Sequence, residues 1–312
     1  MTSFTTRHLP WAKIGHVIDK TDVDAHEAAI LAGLDFDVDS RDVAYLDRTD
    51  PDGTEHWKRI TTRRALVNNR DGNWLSIVST DYRPVQYGDA FNFLDEINPR
   101  YVAGGALSDG KQGFLIVQLP EHASFDARPG GEPDPHDLYV MVRTSHDLSK
   151  GIEVALLTLR GKCMNQLTLP SLTADAPQRW NVRHVGDPHA KLVEAKLVLQ
   201  RAPRYAEVIS NRIRQLTDLQ VTPRRLNVIL KHVLRPTLKN RDQMIDRILE
   251  MANRPTVGFE GTGWGAVNTV SEYFQWGRPT ATRTAQSLFT DSLDGDGARY
   301  VRQVATALLS AT

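Results

Sequence analysis

The sequence predicts an α+β fold: an N-terminal antiparallel sheet of hairpins with packed helices, followed by a mainly helical C-terminal region. Three observations predict it. Short apolar runs split by Asp-Gly turns recur between residues 65 and 119, as in β-hairpins. Two further strand-like runs follow, Leu138 to Arg143 and Ile152 to Arg160. Beyond residue 187 the apolar spacing becomes that of amphipathic helices, introduced by Asp187-Pro188 and Thr222-Pro223.

The elements follow in order. Asp24 to Leu31 is a short helix ending near Gly33, and Phe36-Asp37-Val38-Asp39 alternates as a strand does. Ala65-Leu66-Val67 and Trp74 to Val78 form a hairpin, because Asp71-Gly72 supplies the positive φ of a tight turn. Asp89 to Ile97 places Phe91, Leu94 and Ile97 on one helical face, and Pro99 stops it. A second hairpin pairs Tyr101–Leu107 with Gly113–Leu119 around Ser108-Asp109-Gly110-Lys111. Residues 121–137 carry too many glycines and prolines for a core element and read as a long loop, open to use as a flap. Helices are expected from Pro188 to Leu199, with Pro203 as a break or kink. Further helices are expected after Pro223, around Met244 to Leu249, from Trp264 to Trp276 and from Ala298 to Leu309. The division expected is 1–186 for the α+β core and 187–312 for the helical region; whether the latter packs on the core as one unit stays open.

Composition narrows the function classes. The 312 residues carry 38 basic and 38 acidic side chains, so net charge alone names no partner. Cys163 is the one cysteine, which excludes an intramolecular disulfide framework and a cysteine-cluster zinc site. No apolar stretch approaches the roughly 20 residues that span a bilayer, and the first residues lack the apolar run of a secretory signal. With the lone cysteine, a reducing cytoplasm is therefore expected. Charge is unevenly placed: residues 191–254 hold 14 basic and 6 acidic residues, whereas residues 1–60 hold 7 and 12.

Most candidate motifs have a structural explanation. Gly261-Thr262-Gly263 lacks the Lys-Ser or Lys-Thr of a phosphate loop and the third glycine of a dinucleotide fingerprint, so it reads as a turn capping the next helix. His184 and His189 stand five apart with Asp187 between them, but neither His-Glu-x-x-His nor a tightly spaced three-ligand cluster occurs, and no metal or cofactor is expected. Asp35, Asp37 and Asp39 would share a strand face, either as a cation site or, more simply, as a solvated face. His146-Asp147 falls between two strands, where a turn role competes with acid–base chemistry. Cys163, beside Arg160 and Lys162, is a buried structural thiol or an activated nucleophile.

Nucleic-acid binding has the firmest physical basis. Arg201, Arg204, Arg212, Arg214, Arg224, Arg225, Lys231, Arg235, Lys239 and Arg241 crowd one stretch, and arginine suits bidentate phosphate contact. Arg63 and Arg64 precede the hairpin bearing Trp74, with Tyr82 and Tyr87 after it. Cations beside exposed aromatic rings are what single-strand grooves use.

Several segments together resemble one family. Pro10-Trp11-Ala12-Lys13-Ile14-Gly15 is similar to its opening, Ala32 to Val38 to its helix-to-strand segment, and Tyr82, Pro84, Val85, Gln86 and Phe91 to a later one. Ala103-Gly104-Gly105-Ala106-Leu107 with Gly110 resembles its glycine hairpin. Thr144-Ser145-His146-Asp147, then Arg160, Cys163, Asn165 and Leu167, resembles its central signature, and Thr262 to Tyr273 a C-terminal helix start. The family is a phage- and plasmid-borne one, catalogued as domain of unknown function 932. Gly161 and Met164 depart from its central pattern. The resemblance implies a mobile-element gene product made in the bacterial cytoplasm and supplies no reaction. The function expected is DNA binding without catalysis, as a single-strand binding or annealing accessory of recombination that forms a homo-oligomer. The alternatives are an enzyme on nucleotides or nucleic acid using His146, Asp147 and Cys163, and a stoichiometric inhibitor of a host factor.

Overall fold

The runs Leu138–Val142 and Val154–Leu157 lack the polar alternation of a half-exposed strand, and the structure buries both of their faces. The computed structural model describes residues 14–18, 20, 22–119, 125–126, 135–160, 166–167, 179–182, 188–200, 202–253, 261–277, 284, 287, 290–291, 293 and 295–310. In it the two runs sit centrally in a large antiparallel sheet. The order is β1 (His16–Val17), β5 (Arg100–Leu107), β6 (Gln112–Gln118), β8 (Pro135–Ser145), β9 (Ile152–Arg160) and β10 (Gln166–Leu167). β7 (Phe125–Asp126) also pairs with β8, and β11 (Arg179–Val182) with β9. One face sends Leu115, Val117, Leu138, Val140, Val142, Val154 and Leu156 into a core shared with the helices. The other sends Phe114, Ile116, Tyr139, Met141 and Leu157 against Leu293, with Ile14 at the margin. At about 1.5–3 kcal/mol per fully buried large apolar side chain, a strand that is apolar on both sides needs a layer on each.

The short elements follow their local signals. The Asp24 carboxylate accepts the Glu27 amide at 2.8 Å and starts α1 (Ala25–Leu31). α1 lies directly on β5: a Cβ on Gly104 would stand 2.8 Å from Ala32 Cβ, and one on Gly105 would stand 2.9 Å from Gly15 Cα. The Ala-Gly-Gly-Ala segment is therefore a site of close approach within a strand. The hairpin's turn is made instead by Ser108, Asp109 and Gly110, all with positive φ. The helix expected over 89–97 starts earlier, as α2 (Tyr87–Phe91), and tightens to a 3-10 helix over Asn92–Ile97.

Residues 121–137 are not wholly loop. Pro135–Asp137 extends β8, where Phe125 and Asp126 pair with it; the rest of the expected flap lies outside the described residues.

A second sheet holds β2 (Val38–Thr49), β3 (Glu55–Asn68) and β4 (Trp74–Ser79) in that order. The hairpin predicted across Asp71-Gly72 is its base, with Gly72 at φ 74°. The rest was not legible. β2 and β3 run on as a two-stranded ribbon past the end of the short β4, turning at Asp50–Thr54. At about 3.3 Å per residue, twelve-residue β2 spans ~40 Å. Three extra residues in β3, Thr61, Thr62 and Arg63, interrupt the pairing between Asp42–Arg64 and Val43–Ile60, which separates ribbon from base.

The C-terminal part comprises α3 (Pro188–Leu199), α4 (Ala202–Asp218), α5 (Pro223–Val233), α6 (Arg241–Ala252), α7 (Gly263–Glu272) and α8 (Asp296–Leu309). Pro203 does not break a helix; it sits in the first turn of α4, where a missing amide hydrogen costs nothing. α4 buries Tyr205, Ile209, Ile213 and Leu216, α6 Ile245 and Ile248, and α8 Tyr300, Val304 and Leu308. All ten residues of α7 are buried. Thr262 caps α7 through the Gly265 amide at 3.0 Å, and Gly261 takes φ 66°, so the glycine cluster is the helix-capping turn expected. The Trp264 ring meets the His136 ring of β8 at 5.4 Å between centroids, which ties the helices to the large sheet. One continuous core runs from Ile18 to Leu308.

Candidate nucleic-acid interface

Among the described residues, the three-stranded sheet carries the most exposed aromatic rings. Trp74 is 61% exposed, Trp57 58% and Tyr45 49%, with Leu46 and Ile77 exposed beside them. Large apolar groups gathered on a surface mark interaction sites, whereas scattered ones do not. Lys111 Nζ stands 4.6 Å from the centre of the Trp74 ring, a cation–π contact. Across the strands Tyr45 pairs with Lys58, so a cation borders that ring, while Trp57 pairs with Leu46 and donates its indole hydrogen to Glu55 at 3.0 Å.

The cations here differ in what holds them. Lys58 pairs with Asp47 at 3.0 Å and Arg59 with Asp42 at 2.8 Å; Arg64 also binds Asp42. His56 Nε2 lies 2.6 Å from Asp50, which also takes Arg48. Arg63 is exposed and has no ion-pair partner among the described residues. Of the two arginines expected here, then, Arg63 faces solvent uncompensated and Arg64 is tied to a carboxylate. Tyr82 and Tyr87 are not stacking surfaces. Tyr87 is fully buried and donates to the Gly110 carbonyl at 2.9 Å, and Tyr82 packs against the core. Burial first, and then the Asp147 charge, push both hydroxyls well above the usual phenol range.

The aspartates expected to share a strand face do not form one. Asp35 and Asp37 precede β2; Asp35 binds Arg70, and Asp39 is 3.5 Å from Arg41.

The basic stretch is less aligned than its sequence suggests. On α4, Arg204 and Arg214 are exposed on the half away from the buried stripe, and Arg212 is half-buried at its margin. Arg212 donates to Gln215 at 3.0 Å and Arg214 to Asn211 at 3.3 Å. On α5, Arg224, Val228 and Lys231 share one outward face at i, i+4 and i+7, and all three are exposed. Arg225 points aside and donates to the Gln220 carbonyl at 3.2 Å. Arg235 and Lys239 are exposed just beyond α5. Among the described residues, no ion pair neutralises Arg214, Arg224, Arg225, Lys231, Arg235 or Lys239. Arg241 is structural: its guanidinium caps α5 at the Leu234 carbonyl, 3.0 Å away, and at that of Lys231. Arg201 lies outside the described residues.

His146 and Asp147 form the β8–β9 turn. The His146 ring is fully buried and edge-on to Tyr87 at 4.7 Å, its amide donates to Lys111, and its carbonyl accepts the Ser76 hydroxyl. The Asp147 carboxylate accepts Gln112 Nε2 and the Ser149 amide, each at 2.9 Å. These contacts bind the turn to β6 and the base of the second sheet, the structural role weighed for it above. Burial raises the Asp147 pKa, but the hydrogen bonds of Gln112, Ser149 and Ser145 outweigh it and hold the carboxyl below its usual range. A depressed acid contributes stability above its unfolded pKa of about 3.9, lost as pH falls through the lower folded value. Asp147→Asn should therefore flatten the acid limb of a stability–pH curve below about pH 4, as read by denaturant midpoints. A limb identical to that of the parent protein would refute this. Cys163, His184 and Asp187 lie outside the described residues, and no group of three metal-ligating side chains occurs among those described. No described helix is long and apolar enough to cross a membrane.

Tyr45, Trp57, Lys58 and Lys111 carry no binding signal in the sequence. The exposure of the ribbon and the approach of Lys111, in the β5–β6 turn, to Trp74 bring them into view.

No curated protein and no solved structure matches the chain. A family model described as a domain of unknown function, DUF932, matches residues 74–300, from the start of β4 into α8. The opening segments that suggested the same resemblance, residues 10–15 and 32–38, precede that match, as do β2 and β3. The match takes in well over half of the sequence, and the chain belongs to the DUF932 family.

Proposed function

We propose that this protein binds single-stranded DNA in the bacterial cytoplasm, as a phage- or plasmid-borne binding or annealing accessory of recombination. The observation that carries the proposal is the pair of exposed indoles, Trp57 and Trp74, on one small sheet, with Lys111 over the Trp74 ring. Indole faces in water favour stacking with unpaired bases, which a duplex does not offer. Arg63 and Lys111 supply phosphate contacts on that sheet. The outward face of α5, Arg224 and Lys231 with Arg235 beyond, supplies a second set. Chemistry at His146 and Asp147 gains no support, because the ring is buried and the carboxylate is engaged by the turn.

Two tests follow from this proposal. Stacking quenches indole emission, so adding oligo-dT should lower tryptophan fluorescence. Unchanged emission at saturating oligonucleotide would contradict the stacking role. The second test reverses charge at the start of α5. Arg224→Glu with Arg225→Glu should weaken binding and reduce the salt slope by at least about 0.7, from the lost phosphate contact of Arg224. The fold should tolerate it. Thr222 already caps the Arg225 amide, and a glutamate at that third helical position completes a capping box in the favourable field of the helix start. Unchanged affinity and slope would remove α5 from the interface.

A further inference from the structure

We infer that the protein pairs with a second copy of itself through the outer edge of β2, antiparallel and centred on Ala44. This does not depend on the nucleic-acid proposal. Among the described residues β2 is an edge strand of its sheet, and ten of its twelve residues are exposed. It contains no proline or glycine, and it presents Tyr45 and Leu46 to water. A long open edge is a template for another strand, so its side chains decide which strand is accepted.

Those side chains are complementary to themselves. With a two-fold axis at Ala44, Arg41 of one copy stands opposite Asp47 of the other, twice, on the face that carries Val43 and Tyr45. Val43 stands opposite Tyr45, also twice. Opposite charges and an aromatic with a β-branched residue are favourable cross-strand pairs. Sliding by two residues one way sets Asp39 against Asp47, and the other way sets Val43 against Asp47. A one-residue slip reverses the faces. The edge therefore accepts its own copy in one register and resists its neighbours. Asp47, held by Lys58 of its own chain at 3.0 Å, takes Arg41 of the other copy as a second partner, and Arg41 turns from Asp39, 3.5 Å away in its own chain. The product is one continuous six-stranded sheet built from two three-stranded ones.

Ala44→Cys in a Cys163→Ser background tests the pairing. Directly opposed residues of an antiparallel pair have Cα atoms about 4.5–5.5 Å apart, within disulfide reach. Mild oxidation should convert most chains into a covalent dimer that thiol reverses. Thr49→Cys in the same background should remain monomeric, because its two copies would stand ~33 Å apart along the strands. Equal yields from both positions, or none from Ala44→Cys, would overturn the inference. Light scattering of the unaltered protein guards against a variant that fails to fold. A mass of twice 35.0 kDa at tens of micromolar is expected, and a 35.0 kDa monomer would overturn the pairing.

Discussion

Replacing Trp57 and Trp74 together by alanine is expected to weaken single-stranded DNA binding by about 30-fold or more while leaving the fold intact. Base–aromatic stacking contributes about 1–3 kcal/mol per ring by alanine substitution, so two rings give about 2–6 kcal/mol. Both indoles are more than half exposed, and substitutions at such positions usually change stability by less than about 0.5 kcal/mol. Loss of affinity with an unchanged melting temperature therefore separates stacking from folding. The salt slope should change little, because no phosphate contact is removed. Phenylalanine at both positions should recover much of the loss, since it keeps a ring face. A double alanine variant that binds as tightly as the parent would remove the sheet from the interface.

The largest effect on stability is expected at Glu153. Arg143 and Glu153 face each other across β8 and β9, and one guanidinium nitrogen lies 3.0 Å from both carboxylate oxygens. Their side chains are only 9% and 5% exposed, so both charges have left water. Removing one partner of such a buried ion pair costs about 3–5 kcal/mol, because the other charge stays out of water without it. Glu153→Leu should therefore destabilise strongly in denaturant unfolding. Adding Arg143→Met should restore most of the loss, because an apolar pair of similar volume avoids the desolvation of both ions. Equal destabilisation in the single and double variants would mean that packing, not charge, is what matters at this site.

Legibility in the sequence followed from how local each cause was. Asp24, Thr222 and Thr262 cap their helices as their identities imply, because a cap is decided within four residues. The Asp71-Gly72 and Ser108–Gly110 turns were equally local. The ribbon was not, since alternation marks a strand only where one face is buried, and residues 39–62 are almost wholly exposed on both. Its aromatic residues would ordinarily be assigned to a core. They are exposed because β4 stops after six residues and covers only the base of β3. The basic stretch showed the converse. Its charges are adjacent in sequence, but helical geometry scatters those of α4, aligns only Arg224 with Lys231, and gives Arg241 to a helix end. Spatial alignment, unlike composition, depends on which face the core takes.

The central claim is that a strand of unpaired bases binds here, held by rings and phosphate contacts together. Its most direct test is fluorescence anisotropy of a labelled oligo-dT and of a duplex of equal length, titrated with the protein at several salt concentrations. The account predicts micromolar or tighter binding of the single strand, a steep loss of affinity with salt, and weaker binding of the duplex. No binding of the single strand at low salt, or a preference for the duplex, would contradict it.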